Sequence, residues 1–130
     1  MDALPRGSGT ILLAEDDPQV RGIAVRILNE NGFRVLAAID GEEALRSIDR
    51  HHAEIDLAVL DLIMPKRNGR EVFDYMQRHH PTIPVLFCSG YGADMLPSES
   101  APDASRALIN KPYSPHELLT HVHRLQKARD

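Results

Sequence analysis

Along this chain, short apolar runs alternate with stretches whose apolar residues recur every three or four positions, and the two patterns predict different elements. TILLA (10–14) reads as a first strand. Val20, Ile23, Ala24, Ile27 and Leu28 then fall at i, i+3, i+4, i+7 and i+8, which is one face of a helix. Asp17 stands where an N-cap is needed, Pro18 sits at the first helical position, where its missing N–H loses nothing, and Gly32 is a natural stop. FRVLAA (33–38) predicts a second strand, and Asp40 with Glu43 forms the capping box of a helix burying Ala44, Leu45 and Ile48. DLAVLD (56–61) is a third strand, and Asn68-Gly69 opens a third helix carrying Val72, Phe73 and Met76. IPVLFC (83–88) and RALIN (106–110) are the fourth and fifth strands. Ser114, Pro115 and Glu117 start a last helix by the same capping logic, with Leu118, Leu119, Val122 and Leu125 on its inner side.

Strands apolar on both faces and separated by helices indicate an α/β fold, a parallel sheet covered on both sides. The weak segment is GADMLPSESAPDAS (92–105), where Pro97 and Pro102 break any helix and small polar residues dominate. A helix between the fourth and fifth strands is therefore expected to be short or degenerate. MDALPRGSG (1–9) reads as a linker or tail, residues 10–127 as the domain and 128–130 as a C-terminal tail. There is no internal repeat or low-complexity tract.

Composition narrows the class. The 130 residues suit one domain, and 42% hydrophobic with 26% charged residues is ordinary for a soluble globular chain. A formal charge of -4 argues against nucleic acid as a partner, since a basic face would be required. No apolar run approaches the roughly 20 residues of a membrane span, so no direct membrane insertion is expected. The leading residues lack the apolar core of a signal peptide. The lone Cys88, inside PVLFC, reads as a small buried hydrophobe and cannot close an internal disulfide, which makes the cytoplasm the expected compartment.

One stretch departs from this ordinary picture. In ILLAEDDP (11–18), three carboxylates, Glu15, Asp16 and Asp17, crowd the end of a strand, and like charges so close need a cation among them. In an open parallel sheet, ligands bind outside the carboxyl ends of the strands, where strand order reverses. Glu15 and Asp16 follow strand one, Asp61 ends strand three, Ser89 follows strand four and Lys111 follows strand five. Each alone has a plain reading: solvated acid, turn serine, sheet-edge lysine. Asp17 before Pro18 is simply a helix cap. Together they suit a hard divalent cation such as Mg²⁺, a lysine for a phosphate oxygen, and Asp61 as a carboxylate nucleophile forming an acyl phosphate.

The motifs LLAEDD, LAVLDLIMPKRNG, VLFCSGY and LINKPYSP, at these spacings, closely resemble those of the receiver (response-regulator) domain of two-component signalling. The likeness runs from about residue 10 to 127. It implies a flavodoxin-like, doubly wound, five-stranded parallel sheet of order 2-1-3-4-5. By the same resemblance Asp61 is the phosphoacceptor and a metal ligand, Asp16 the direct Mg²⁺ ligand and Glu15 its water-mediated partner. The backbone carbonyl of Ile63 would complete the protein ligands, and Mn²⁺ could replace Mg²⁺. Ser89 matches the switch hydroxyl and Lys111 the lysine that pairs with the phosphoryl group, before a Lys111–Pro112 bond expected to be cis. The implied partner is a sensor histidine kinase core or a histidine phosphotransfer domain in a His-to-Asp phosphorelay.

The chain also departs from the family. Leu108 stands where many receivers carry Tyr or Phe, so no aromatic ring at that position can turn inward behind Ser89. The proline-broken 92–105 segment alters the usual fourth helix. Ile63 and Tyr91, two residues beyond Asp61 and Ser89, supply no acid or amide to orient a water, so slow self-dephosphorylation is expected. ALPRGSG resembles the join after a histidine-kinase ATP-binding domain, and the chain ends at KARD with no effector domain expected to follow. The expected placement is the C-terminal receiver of a hybrid kinase, with a stand-alone receiver as the other placement.

Two other functions stay open from sequence. A phosphate-independent, receiver-like interaction module would show no metal-dependent labelling of Asp61. A small Mg²⁺-dependent aspartyl phosphohydrolase commonly carries a second acid two residues after its nucleophile, where Ile63 stands, and no cap domain is expected in 130 residues. A dinucleotide-binding domain is disfavoured because AEDDP has no glycine and would repel a pyrophosphate. The pairs His51-His52 and His79-His80 lie near predicted helix ends, and with His121 and His123 they lack zinc-site spacing and are read as structural or solvent-facing.

Overall fold

The computed structural model describes residues 7–90 and 106–129. Five strands and four helices alternate along them: β1 (Thr10–Ala14), α1 (Pro18–Glu30), β2 (Arg34–Ala38), α2 (Gly41–His51), β3 (Ile55–Asp61), α3 (Gly69–His79), β4 (Val85–Ser89), β5 (Arg106–Asn110) and α4 (Pro115–Arg129). All strand pairs are parallel and the order is β2-β1-β3-β4-β5, the doubly wound arrangement expected. The helix expected to be degenerate, with Tyr91, lies outside the described residues.

Period-two alternation divides the core. Ile11 and Leu13 of β1 with Leu57 and Val59 of β3 pack under α1 and α4, against Ala24, Leu28, Leu118 and Val122. Leu12, Ala14, Ala58 and Leu60 face the other way, under α2 and α3, against Ile48, Val72, Phe73 and Met76. This burial on both faces is why β1, β3 and β4 read as continuous apolar runs.

Caps fix where the helices begin. The Asp17 carboxylate accepts from the Gln19 and Val20 amides at 2.9 and 3.3 Å. Asn68 and Glu71 close a reciprocal box at the start of α3, as do Ser114 and Glu117 before α4. At α2 the expected box is only half present: Asp40 accepts from the Glu43 amide, but Glu43 reaches back to the Ile39 amide, one residue further. Strand four begins at Val85, because Pro84 has no N–H to give the ladder, and it extends through Ser89. Strand two begins at Arg34, since the Phe33 amide still bonds the Leu28 carbonyl of α1.

The loop after β3 is seated on the start of α2. Gly41 packs so closely on the Arg67 carbonyl that a Cβ there would lie 1.9 Å from the oxygen. Lys66, at φ 70°, sits 3.8 Å from both Asp40 and Glu42. Residues 7–9, ahead of β1, bond to the domain: the Gly7 amide to Asn31, the Ser8 carbonyl to Gln126, and the Gly9 carbonyl to the Arg34 amide.

Candidate functional site

Each parallel strand delivers its last residue, or the one after it, to the same sheet edge. The Glu15 amide still bonds Ala38 of β2, the Leu62 amide bonds Cys88 of β4, and the Lys111 amide bonds Ser89. Glu15, Asp61 and Ser89 are thereby held at the edge with their backbones tied into the sheet, and all three are buried, at 3%, 5% and 2% exposure. Asp16 is exposed beside them. With Asp17, Ile63, Gly90 and Lys111 they line a cleft of about 440 Å³.

Lys111 organises the interior of the cleft. Its Nζ donates to Glu15 Oε1 at 2.9 Å and to Asp61 Oδ2 at 3.0 Å. Burial alone would lower the pKa of this ammonium, but the bonds to Glu15 and Asp61 outweigh it and hold the pKa above its ordinary value. Burial pushes the Glu15 pKa up and neighbouring Asp61 adds to that, while Lys111 and the Asp17 amide pull it back. Carboxylate oxygens of Glu15, Asp16 and Asp61 lie within 4.8 Å of one another. A donor set made of oxygens at that spacing suits a small hard divalent cation.

The flanking groups shape the approach to Asp61. The Ile63 amide is 3.4 Å from Asp61 Oδ1, and its side chain is 49% exposed at the rim. The Lys111–Pro112 bond is cis. Beside this cleft, and sharing Lys111 with it, an apolar hollow of about 300 Å³ is lined by Val20, Ile23, Pro112 and Tyr113.

All the residues singled out from sequence, Glu15, Asp16, Asp61, Ile63, Ser89 and Lys111, line this one cleft. Asp17 lines its edge while capping α1. Cys88 is buried, and its surroundings push the thiol pKa up through burial and the nearby acids, as befits an inert core residue. Leu108 is half-buried against the core cluster under α2 and α3.

Two contributors escaped the sequence reading. The Arg21 guanidinium donates to the Glu15 and Asp16 carbonyls at 2.9 and 3.3 Å, pinning the acidic turn from the first turn of α1. Gly69 lets α3 approach the Asp61 carbonyl, where a Cβ would come within 2.4 Å. The Asn68-Gly69 pair signalled a helix start, and nothing local signalled the close approach.

Residues 11–123 match the model of the response regulator receiver domain family, and the chain belongs to that family. It is therefore a signalling domain of the two-component class. It is 35% identical over 124 residues to the sensor kinase CckA of Brucella abortus, a match covering 95% of this chain and 13% of that protein. To the transcriptional regulatory protein CpxR of Klebsiella pneumoniae it is 31% identical over 112 residues, covering 86% of this chain and 47% of the relative. The chain thus spans less than half the length of either relative. Among solved structures, the receiver domain of hybrid histidine kinase CckA superposes with a TM-score of 0.76 at 34% identity, covering 90% of this chain and 99% of that one. A receiver protein from Sinorhizobium medicae reaches a TM-score of 0.85 at 29% identity, covering 95% and 98%.

Proposed function

We propose that this chain accepts a phosphoryl group on Asp61 from a phosphohistidine donor and signals through the conformational change that follows. The observation that carries this reading is the Asp61 carboxylate, buried at the sheet edge, bonded to Lys111 and flanked by Glu15 and Asp16. A carboxylate oxygen of Asp61 attacks phosphorus, the P–N bond to the donor imidazole breaks, and the imidazole leaves with the bonding pair and takes up a proton. The product is an acyl phosphate. Mg²⁺, when bound, would neutralise charge on the phosphoryl oxygens, held by Asp16, Asp61 and the Ile63 carbonyl, with Glu15 acting through water.

The chain's own groups divide the remaining work. Lys111 exchanges its bond to Asp61 for one to a phosphoryl oxygen, as a mobile ammonium can. Ser89 follows the phosphoryl group with its hydroxyl. The apolar hollow beside Lys111 supports a protein donor, because a partner that delivers phosphate to the cleft must also cover Val20, Ile23 and Tyr113. A sensor histidine kinase core or a histidine phosphotransfer domain fits that requirement. The similarity to CckA, a sensor kinase, supports placement within a hybrid kinase.

The test is an intact mass spectrum after incubation with a small phosphodonor and Mg²⁺, alongside Asp61→Asn and a metal-free control. One phosphoryl adduct is expected, lost in Asp61→Asn and without metal. No adduct under any condition would support the phosphate-independent module instead, and turnover of a phosphate ester beyond one equivalent would support the phosphohydrolase.

A further inference from the structure

Asp16 differs from the other acids of the cleft in what holds its side chain. Lys111 fixes the carboxylates of Glu15 and Asp61, and the Glu15 carboxylate also accepts from the Asp17 amide at 3.1 Å. The Asp16 carboxylate is exposed, and among the described residues no group donates to it. Its direction is set by the backbone, through the two soft rotations at its own Cα. The peptide units on either side of that Cα carry the Glu15 and Asp16 carbonyls. A single nitrogen, Nη1 of Arg21, donates to both, at 2.9 and 3.3 Å. The guanidinium thus ties together the two peptide planes that meet at Asp16 and fixes how the side chain leaves the turn.

We infer that Arg21 is a positioning residue for the divalent cation, ordering Asp16 before the ion arrives; this rests on the reading of Asp16 as the direct ligand proposed above. Arg21 is itself well placed to do so. It is half-buried in the first turn of α1, and its own amide bonds the Asp17 carbonyl at 2.8 Å. It touches the turn through carbonyl oxygens, and among the described residues it forms no ion pair, so the carboxylates stay free for a cation. The charge and the bonds of the guanidinium act in opposite directions. Positive charge repels a nearby cation, so removing the charge alone would tighten Mg²⁺ binding. The bonds hold a ligand in place in advance, so removing them weakens binding. The inference is that the bonds prevail.

Mg²⁺ affinity by calorimetry on the full chain tests this, comparing wild type with Arg21→Met, Arg21→Lys and Arg26→Met. Arg21→Met keeps a hydrocarbon stem and removes both charge and donors. It is expected to weaken Mg²⁺ binding about tenfold, the usual cost of losing a group that orients a metal ligand. Arg21→Lys keeps the charge without the planar fork and is expected to fall between wild type and Arg21→Met. Arg26, which pairs with Glu30 further along α1, serves as the charge control, and Arg26→Met is expected to leave affinity unchanged. Labelling of Asp61 by a small phosphodonor is expected to need about tenfold more Mg²⁺ for half-maximal rate in Arg21→Met. At saturating Mg²⁺ it is expected to regain the wild-type rate. Unchanged or tighter affinity in Arg21→Met overturns the inference, as does unchanged affinity in Arg21→Lys if the Met variant does not fold. A saturated rate that falls as far as the affinity marks general damage to the cleft and also overturns it. With wild-type binding and labelling intact, any of these failures leaves the phosphoryl reading standing. Absence of Mg²⁺ binding by the wild type overturns the metal reading and this inference together.

Discussion

Lys111 is the positive group that lets Glu15 and Asp61 share a buried sheet edge, and it is shared between them. A group held by two acids can leave one without becoming unpaired, which is what the proposed meeting of Lys111 with an incoming phosphoryl group would require. Under the proposed function, Ile63 is expected to bear on the other end of the event. Hydrolysis of an acyl phosphate needs a water aligned behind phosphorus, and the 49% exposed Ile63 side chain offers hydrocarbon at that rim. The phosphorylated protein is therefore expected to decay with a half-life of minutes or longer, followed as loss of the adduct mass after the donor is removed. Decay within seconds would mean that another group orients the water. Ile63→Asn, which places an amide at the rim, is expected to shorten the half-life.

Helix starts are the parts of this fold that local chemistry specifies most completely. At α3, Asn68 and Glu71 satisfy one another's backbone amides at 2.9 and 3.0 Å. The Asn68 amide holds the Glu71 carboxyl below its ordinary pKa of 4.5, helped by the nearby Arg67. A carboxyl whose pKa is lowered by folding contributes stability that is present above the unfolded value and lost as pH falls through the folded one. Glu71→Gln is thus expected to flatten the loss of stability below about pH 4.5, seen in urea midpoints across the acid range, and to leave that dependence unchanged above it. The same reciprocity was readable around Ser114 and Glu117, because it needs only a spacing of three. It misled at α2, where the extended backbone of Asp40 brings Glu43 to the Ile39 amide instead. Arg21 and Gly69 were not legible, because their roles depend on how far α1 and α3 lean toward the sheet edge, which no local pattern encodes.

Topology made the cleft readable before any contact was known. Once β1, β3, β4 and β5 are parallel, residues at positions 15, 61, 89 and 111 must gather at one edge, whatever the loops do. Among the described residues, none of the helices is long and apolar enough to cross a membrane. What parallel order does not reveal is how the charges in that gathering balance. Three carboxylates with oxygens within 4.8 Å repel one another, and Lys111 contacts only Glu15 and Asp61 among them. The expectation is that Asp16 is retained at the expense of the metal-free fold. Asp16→Asn should stabilise the protein in chelator-treated buffer by about 1 kcal/mol, the scale of a like-charge contact near 4 Å in water. Magnesium should reverse the ranking. At a concentration one hundred times its dissociation constant, an ion bound as proposed would add about 2.7 kcal/mol to the wild-type fold and far less to a variant lacking the carboxylate proposed as its direct ligand. Thermal melts of both proteins with and without Mg²⁺ measure the crossing. If Asp16→Asn is less stable than wild type without metal, the acidic cluster is not strained. If Mg²⁺ raises both melting temperatures equally, the ion is held without Asp16.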